Sequence, residues 1–309
     1  MGGVRSLEVA AERLAALLTG SATALSEPSG RSDLEFLGEP LVRPLTRAAA
    51  PADVWAVDGG QALVADARCV QLLVTRAARV RYQAGACVLE DEGELRATVL
   101  KPGDAVDVNL LRDQDEWAAV EQSVDEAEPG ALVLVDGDLQ PDWRVPSTFV
   151  AGLLAAAAER GIILAGITKH SSLARGGAPL LGWLEREAET LLGERTLWWA
   201  PVARTRSDVG GFQVVAARLD PDARFAFRVD VPLGIDPEPV LASLSALCDD
   251  AAFPGYPYPL SVADRLASCP GWLRADLRRQ LDELFDRAGV PLEVRERAFA
   301  DRHDLMERA

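Results

Sequence analysis

The stretch Val54-Trp55-Ala56-Val57-Asp58-Gly59-Gly60 decides how this chain is read. Apolar residues run into a single carboxylate, and two glycines follow. A buried strand that delivers an acid to the rim of a sheet has this form. A glycine just past the strand lets the backbone turn where a Cβ would clash and lets another group come close. A second copy stands at Ala131-Leu132-Val133-Leu134-Val135-Asp136-Gly137. If the two strands are neighbours, Asp58 and Asp136 lie side by side. One Asp-Gly is ordinary turn chemistry. Two at matching strand ends leave two readings open, a pair of loop acids or a shared divalent cation that relieves the repulsion between close carboxylates.

Composition narrows the classes. The chain has 309 residues, 49% of them hydrophobic, which is enough for one large core or two small ones. Its net charge of −16 argues against a protein that grips nucleic acid over its whole surface, because phosphate neutralisation needs clustered Lys and Arg. A local basic groove remains compatible. Cys69, Cys87, Cys248 and Cys269 are widely spaced without a CxxC pair, and read as buried small hydrophobes of a reducing cytoplasm. No apolar run approaches the ~18 residues of a membrane span. The first residues open an amphipathic helix and do not read as a signal peptide, so a cytoplasmic location is expected.

Residues 4–19 carry helical apolar spacing and Gly20 is a plausible stop. Residues 21–52 read as a connecting segment with a short apolar turn near Phe36-Leu37, so the chain divides into an N-terminal helix and connector (1–52) and an organised domain (53–309). Strands are expected over 69–75, 80–89 and 95–100, the last two bracketing the acidic turn 90–94. A helix over 109–127 with an acidic outer face follows, then the second Asp-Gly strand, an Ala-rich helix over 146–160 and a third apolar strand over 162–167. Strands over 196–202, 212–219 and 225–231, and helices over 181–192, 237–249, 260–267, 272–288 and 291–309, complete the chain. An antiparallel beginning with a parallel continuation resembles an RNase H-like mixed α/β sheet flanked by helices, with N- and C-terminal helical extensions. In that order the first strand lies beside the strand after the first helix, which brings Asp58 to Asp136.

Other groups can join them. Glu116 and Glu121 stand five apart on the acidic helix, so at most one faces the site. Glu116 borders the apolar Trp117 and is preferred; Glu121 stays open, with Asp113 and Asp125 behind them. Lys169, one of two lysines in a chain otherwise served by arginine, follows the third apolar strand and could balance carboxylates or hold a phosphate oxygen. His170 invites a general-base role but suits a solvated loop as well, and His303 reads as structural. Tyr256 sits in a Pro-rich turn, where packing and phosphate or base contact are both open. No GxxxxGK[ST], GxGxxG or GxSxG element supports ATP hydrolysis, hydride transfer or serine acyl transfer.

In order, AVDGG (56–60), LVDGDL (134–139), GITKHSSLARG (166–176), GYPYPLSVADRLA (255–267) and the final RERAFADRHDLMER resemble the NurA nucleases, partners of HerA-type hexameric ATPases in DNA-end processing. The resemblance implies a manganese-dependent nuclease (magnesium possible) that cuts single-stranded DNA, resects 5′ ends, and forms a homodimer docked on the ATPase ring. It also implies that Asp58, Glu116 and Asp136 are metal-binding carboxylates, that Lys169 is the strand-end lysine, and that Tyr256 is the tyrosine eight residues before a family histidine. Gly60 stands where the family commonly has Ser, and Asp264 replaces that histidine. Aspartate can ligate a metal through oxygen, which makes Asp264 a metal-site candidate, but it supplies no imidazole. Two other functions compete: a NurA-like scaffold or regulator of the ATPase with weakened catalysis, and an unrelated metal-dependent phosphohydrolase.

Overall fold

The computed structural model describes every residue except 1, 21, 29–33, 102, 105, 141–142, 207–209 and 301–309; His303 and the end of the expected C-terminal helix lie outside the described residues. Helix α1 (Gly2–Thr19) leads to three short strands, β1 (Leu25–Ser26), β2 (Leu34–Phe36) and β3 (Arg43–Pro44). A β-meander follows: β4 (Asp53–Asp66), β5 (Gln71–Gln83), β6 (Ala86–Asp91) and β7 (Arg96–Leu100). Then helix and strand alternate through α2 (Val108–Glu126), β8 (Leu132–Asp136), α3 (Ser147–Glu159) and β9 (Ile163–Thr168). The small strands β10 (Ala174–Arg175) and β11 (Ala178–Pro179) precede α4 (Leu180–Leu192). Three antiparallel strands, β12 (Trp198–Thr205), β13 (Phe212–Arg218) and β14 (Phe227–Pro232), come next. Four helices end the described chain: α5 (Pro237–Ser245), α6 (Tyr258–Ala267), α7 (Gly271–Arg287) and α8 (Leu292–Phe299).

Eleven of these strands form one mixed sheet in the order β2-β12-β13-β14-β9-β8-β4-β5-β6, with β3 on β12 and β7 on β5. The centre is parallel, β4 against β8 and β8 against β9. Alternating side chains feed two cores. Trp55, Val57, Val133 and Val135 face the helices α2, α3 and α4, through Trp117, Leu153 and Leu184. Val54, Ala56, Leu132, Leu134 and Ile167 face α5 and α6, through Leu241, Leu244 and Leu260. Trp198 and Trp199 are both buried, one in each core. The α/β class, the RNase H-like order and the parallel centre agree with the sequence expectation.

Several local expectations are corrected. The strand carrying Asp58 does not end there: β4 runs on through Gly59 and Gly60 to Asp66, paired throughout with β5. The hairpin expected at 90–94 lies instead at Ala84-Gly85, a two-residue turn with both φ values positive (48° and 82°). That geometry usually selects Asn-Gly, so Ala-Gly gave little warning. Residues 92–95 only link β6 to β7, which lie end to end along β5. The connecting segment contributes β2 and β3 to the sheet edge. Cys69 and Cys87 are exposed and Cys269 is half-buried; of the four only Cys248 is fully buried. Among the described residues, no helix is long and apolar enough to cross a membrane.

Candidate metal centre

The parallel register pairs Val57 with Val135, so the next residue in each strand, Asp58 and Asp136, stand side by side. Both follow the alternation that points toward α6. Helix α6 brings Asp264 to the same place: carboxylate oxygens of Asp58, Asp136 and Asp264 all lie within 4.8 Å of one another. Lys169, one residue past β9, reaches into the cluster. Its Nζ is 2.6 Å from Asp136 Oδ2 and 2.8 Å from Asp264 Oδ1, and lies 5.0 Å from the centroid of the Tyr256 ring. The Tyr256 ring is buried against Phe227 and Phe253. Its buried hydroxyl turns toward Asp136 without completing a well-formed hydrogen bond.

Glu116 approaches from the opposite face. It sits on α2 beside Trp117, is 7% exposed, and meets β4 at Gly59. A Cβ on Gly59 would stand 2.9 Å from Glu116 Oε2, and one on Gly60 would stand 1.8 Å from the Ala267 carbonyl oxygen of α6. The two glycines therefore clear the two faces of one strand, one for α2 and the next for α6. Arg76, opposite Gly60, fastens the second approach by donating to the carbonyls of Ala267 (3.1 Å) and Ser268 (2.5 Å). Close approach, and not a turn, is the reason for Gly-Gly here. Glu121 is exposed on the outer side of α2.

The electrostatics follow from crowding. Burial, then the charge of Asp136, pushes the Asp58 carboxyl up to about 7, against the relief given by Lys169 and the Gly59 N–H. Burial, then Asp58, raises Glu116 well above the carboxylate range. Burial opposes the Lys169 charge, yet Asp136 and Asp264 outweigh it and hold the ammonium protonated. Burial, then Asp136, keeps the Tyr256 phenol protonated. Two acids that resist ionisation beside a carboxylate cluster form a pattern that a divalent cation relieves. All the donors are hard oxygens, the set preferred by Mg²⁺ or Mn²⁺, and the orphaned Tyr256 hydroxyl adds a buried polar atom with no partner of its own.

Beside the cluster a cleft of about 530 Å³ is lined by Arg112, Glu116, Asp136, Asp138 and His170 among others. A larger groove of about 750 Å³ runs along the far end of β4 by Arg278 and Arg297, and contains none of these acids. The sequence reading did not single out Arg112, half-buried one turn before Glu116, although that i, i+4 spacing was a usable signal. It also passed over Asp138, two residues beyond Asp136 at the same cleft.

A parallel-centred mixed sheet with acids side by side on adjacent parallel strands defines the class as RNase H-like. More narrowly, the fold is NurA-like. It matches the crystal structure of the NurA nuclease from Sulfolobus solfataricus with a TM-score of 0.60 at 15% identity, over 81% of this chain and 88% of that one. It matches a NurA structure with manganese with a TM-score of 0.52 at 11% identity, over 79% and 91%, and a further NurA structure with a TM-score of 0.50 at 10% identity, over 83% and 92%. No family model matches the chain, and no curated protein sequence matches it.

Proposed function

We propose that this chain is a divalent-metal-dependent deoxyribonuclease. The observation that carries the reading is the gathering of Asp58, Asp136 and Asp264 within 4.8 Å, at the end of β8 and beside the middle of β4, with Lys169 bridging two of them. In this reading those three aspartates hold the cation and Glu116 completes its surroundings from the α2 side. A bound Mn²⁺ or Mg²⁺ would activate water and neutralise charge on the leaving oxygen of a phosphodiester. Lys169 balances the carboxylates and is placed to hold a phosphate oxygen. Tyr256 supplies a protonated hydroxyl beside Asp136. Asp264, exposed and paired with Lys169, serves as an oxygen ligand where the resemblance implied histidine. The manganese of the NurA structure solved with that ion belongs to that protein; here it supports the choice of Mn²⁺ as the first ion to try.

The finer reading is single-strand endonuclease and 5′–3′ exonuclease activity in DNA-end processing, carried out by a cytoplasmic homodimer with a HerA-like hexameric ATPase. Two features support an external partner. The net charge of −16 suits a subunit whose DNA is delivered to it. Leu7 and Leu14 of α1 remain 71% and 57% exposed, so the apolar face of that helix is uncovered in the single chain. On the domain plan, 1–52 is an N-terminal helix and connecting segment, which lends β2 and β3 to the sheet edge, and 53–309 is the nuclease domain.

Purified protein with Mn²⁺ is expected to cut single-stranded and 5′-ended duplex DNA, and Asp58→Ala to lose more than about 100-fold in rate, beyond the usual cost of losing a group that only orients a metal ligand. Equal background from wild type and variant would leave the scaffold reading standing, which rests on Asp264 in place of the family histidine. The two helix acids separate in the same assay. Glu116→Gln is expected to keep the fold and lose cation-dependent cleavage. Glu121→Ala should stay within about 0.5 kcal/mol in stability and cleave as wild type. The opposite ranking would show that the wrong carboxylate was chosen.

A further inference from the structure

We propose that Arg228 and Asp230 are positioning residues that hold the loop following Asp136, and with it the Asp136 carboxylate, in the geometry the cation needs. The proposal rests on the metal reading above. It is carried by a buried charge network on β14 that contributes no group to the carboxylate cluster itself.

Arg228 is 1% exposed and Asp230 0% exposed. The guanidinium donates from Nε and Nη2 to the two Asp230 oxygens at 2.8 and 2.9 Å. Its Nη1 donates to Glu27 Oε1 at 2.8 Å and lies 3.6 Å from Asp138 Oδ2. Asp230 Oδ2 in turn accepts the Leu139 backbone N–H at 3.1 Å. The network thus reaches the loop at two points, through the Asp138 carboxylate and the Leu139 amide, within three residues of Asp136.

The sheet register explains how β14 reaches that far. Asp230 pairs with Gly166 of β9 and Arg228 with Thr168, the residue before Lys169. Beyond Asp136 the chain turns across β9: Gly137 N–H donates to the Ile167 carbonyl at 2.9 Å. The crossing is possible because residue 166 has no side chain, since a Cβ there would lie 2.6 Å from the Gly137 carbonyl oxygen and 3.1 Å from Leu139 N. The loop passes over the bare Gly166 and is fastened on the far side by Asp230. One network therefore backs both the Asp136 loop and the strand that ends on Lys169.

A buried charge network is a poor way to gain stability, because desolvation offsets most of the Coulomb attraction and apolar replacements of similar volume are often neutral or stabilising. It is a good way to fix the direction of a backbone amide and a neighbouring carboxylate. Groups that orient a metal ligand without touching the metal govern affinity in just this manner.

Two variants of the full chain test the proposal: Asp230→Asn, which keeps the shape and leaves Arg228 compensated by Glu27 and Asp138, and Arg228→Met combined with Asp230→Asn, which removes the pair at similar volume. Three quantities are read: thermal stability, hydrogen exchange at Leu139 compared with Leu134 inside β8, and the affinity for Mn²⁺ alone by calorimetry. The expected result is a folded protein in which Leu139 exchanges about tenfold faster or more while Leu134 is unchanged, and Mn²⁺ affinity falls about 10–100-fold. Unchanged Leu139 exchange, or faster exchange with wild-type Mn²⁺ affinity, overturns the proposal. So does failure of both variants to fold, which would assign the network to stability. A wild type that binds no Mn²⁺ overturns the metal reading itself, and is recognised because it needs no variant to be seen.

Discussion

Gly60→Ser is expected to destabilise the protein by about 3 kcal/mol or more, the upper range for forcing atoms into a packed interior, and to lower the yield of folded chain. A Cβ at this position would sit 1.8 Å from the backbone carbonyl oxygen of Ala267. That oxygen cannot swing aside as a side chain would, because Arg76 donates to it and to the next carbonyl. Relief requires α6 to lift from β4, which moves Asp264 and the Lys169 pairing together. The change is instructive because serine is what the NurA resemblance implies here, and in this chain the Ala267 carbonyl leaves no room for its Cβ. Gly59→Ala provides the contrast. Its Cβ would meet the Glu116 carboxylate oxygen at 2.9 Å, the Arg112 Cγ at 3.0 Å and the Glu116 Cβ at 3.2 Å, one mobile tip and two stem atoms but no backbone. A smaller loss of stability is therefore expected, with Glu116 displaced. Denaturant melts of the two variants decide the matter, and equal midpoints would refute the distinction between backbone and side-chain obstruction.

Asp58→Asn should abolish cation binding and, in the absence of cations, make the protein more stable. The Asp58 carboxyl is raised from 3.8 to about 7 in the folded chain, so between those values the native state holds more protons than the unfolded state. Stability then falls as pH rises from about 4 to about 7, and the full cost applies above 7. The shift corresponds to a few kcal/mol at most, arising from burial first and then from repulsion by the Asp136 charge. Asparagine carries no charge and keeps the oxygen that accepts the Gly59 N–H, now at 2.7 Å. In EDTA at pH 8 its melting temperature should exceed that of wild type, and the difference should shrink toward pH 4. With saturating Mn²⁺ the order should reverse, since only wild type gains ligand-linked stability. For the same reason wild-type Mn²⁺ affinity should rise with pH through about 7, as the cation displaces the Asp58 proton. A variant less stable than wild type in EDTA at pH 8 would show that the carboxylate is not strained by its neighbours.

Both expectations rest on contacts made by residues far apart in sequence, and this bears on how legible the protein was. The strand-helix alternation from Val54 to Thr168, and with it the placing of Asp58 beside Asp136, could be read from apolar runs, Asp-Gly endings and one acidic amphipathic helix. Glu116 could be preferred to Glu121 because it borders Trp117, and the buried stripe does place it inward. Tyr256 was ambiguous in sequence; its ring packs in the core and its hydroxyl faces Asp136.

By itself, then, the sequence determined the α/β class, the order of the central strands and the residues from which a metal centre could be assembled, because burial periodicity and chain order are local properties that survive in one dimension. Only the tertiary structure decided what Gly59 and Gly60 are for, that Asp264 and Lys169 meet across 95 residues, and that Arg228 and Asp230 stand behind the Asp136 loop. Each of these depends on which side chains or backbones arrive opposite one another when helices dock on the sheet. A glycine required by the approach of a remote carbonyl carries no mark in sequence that separates it from a glycine in a turn.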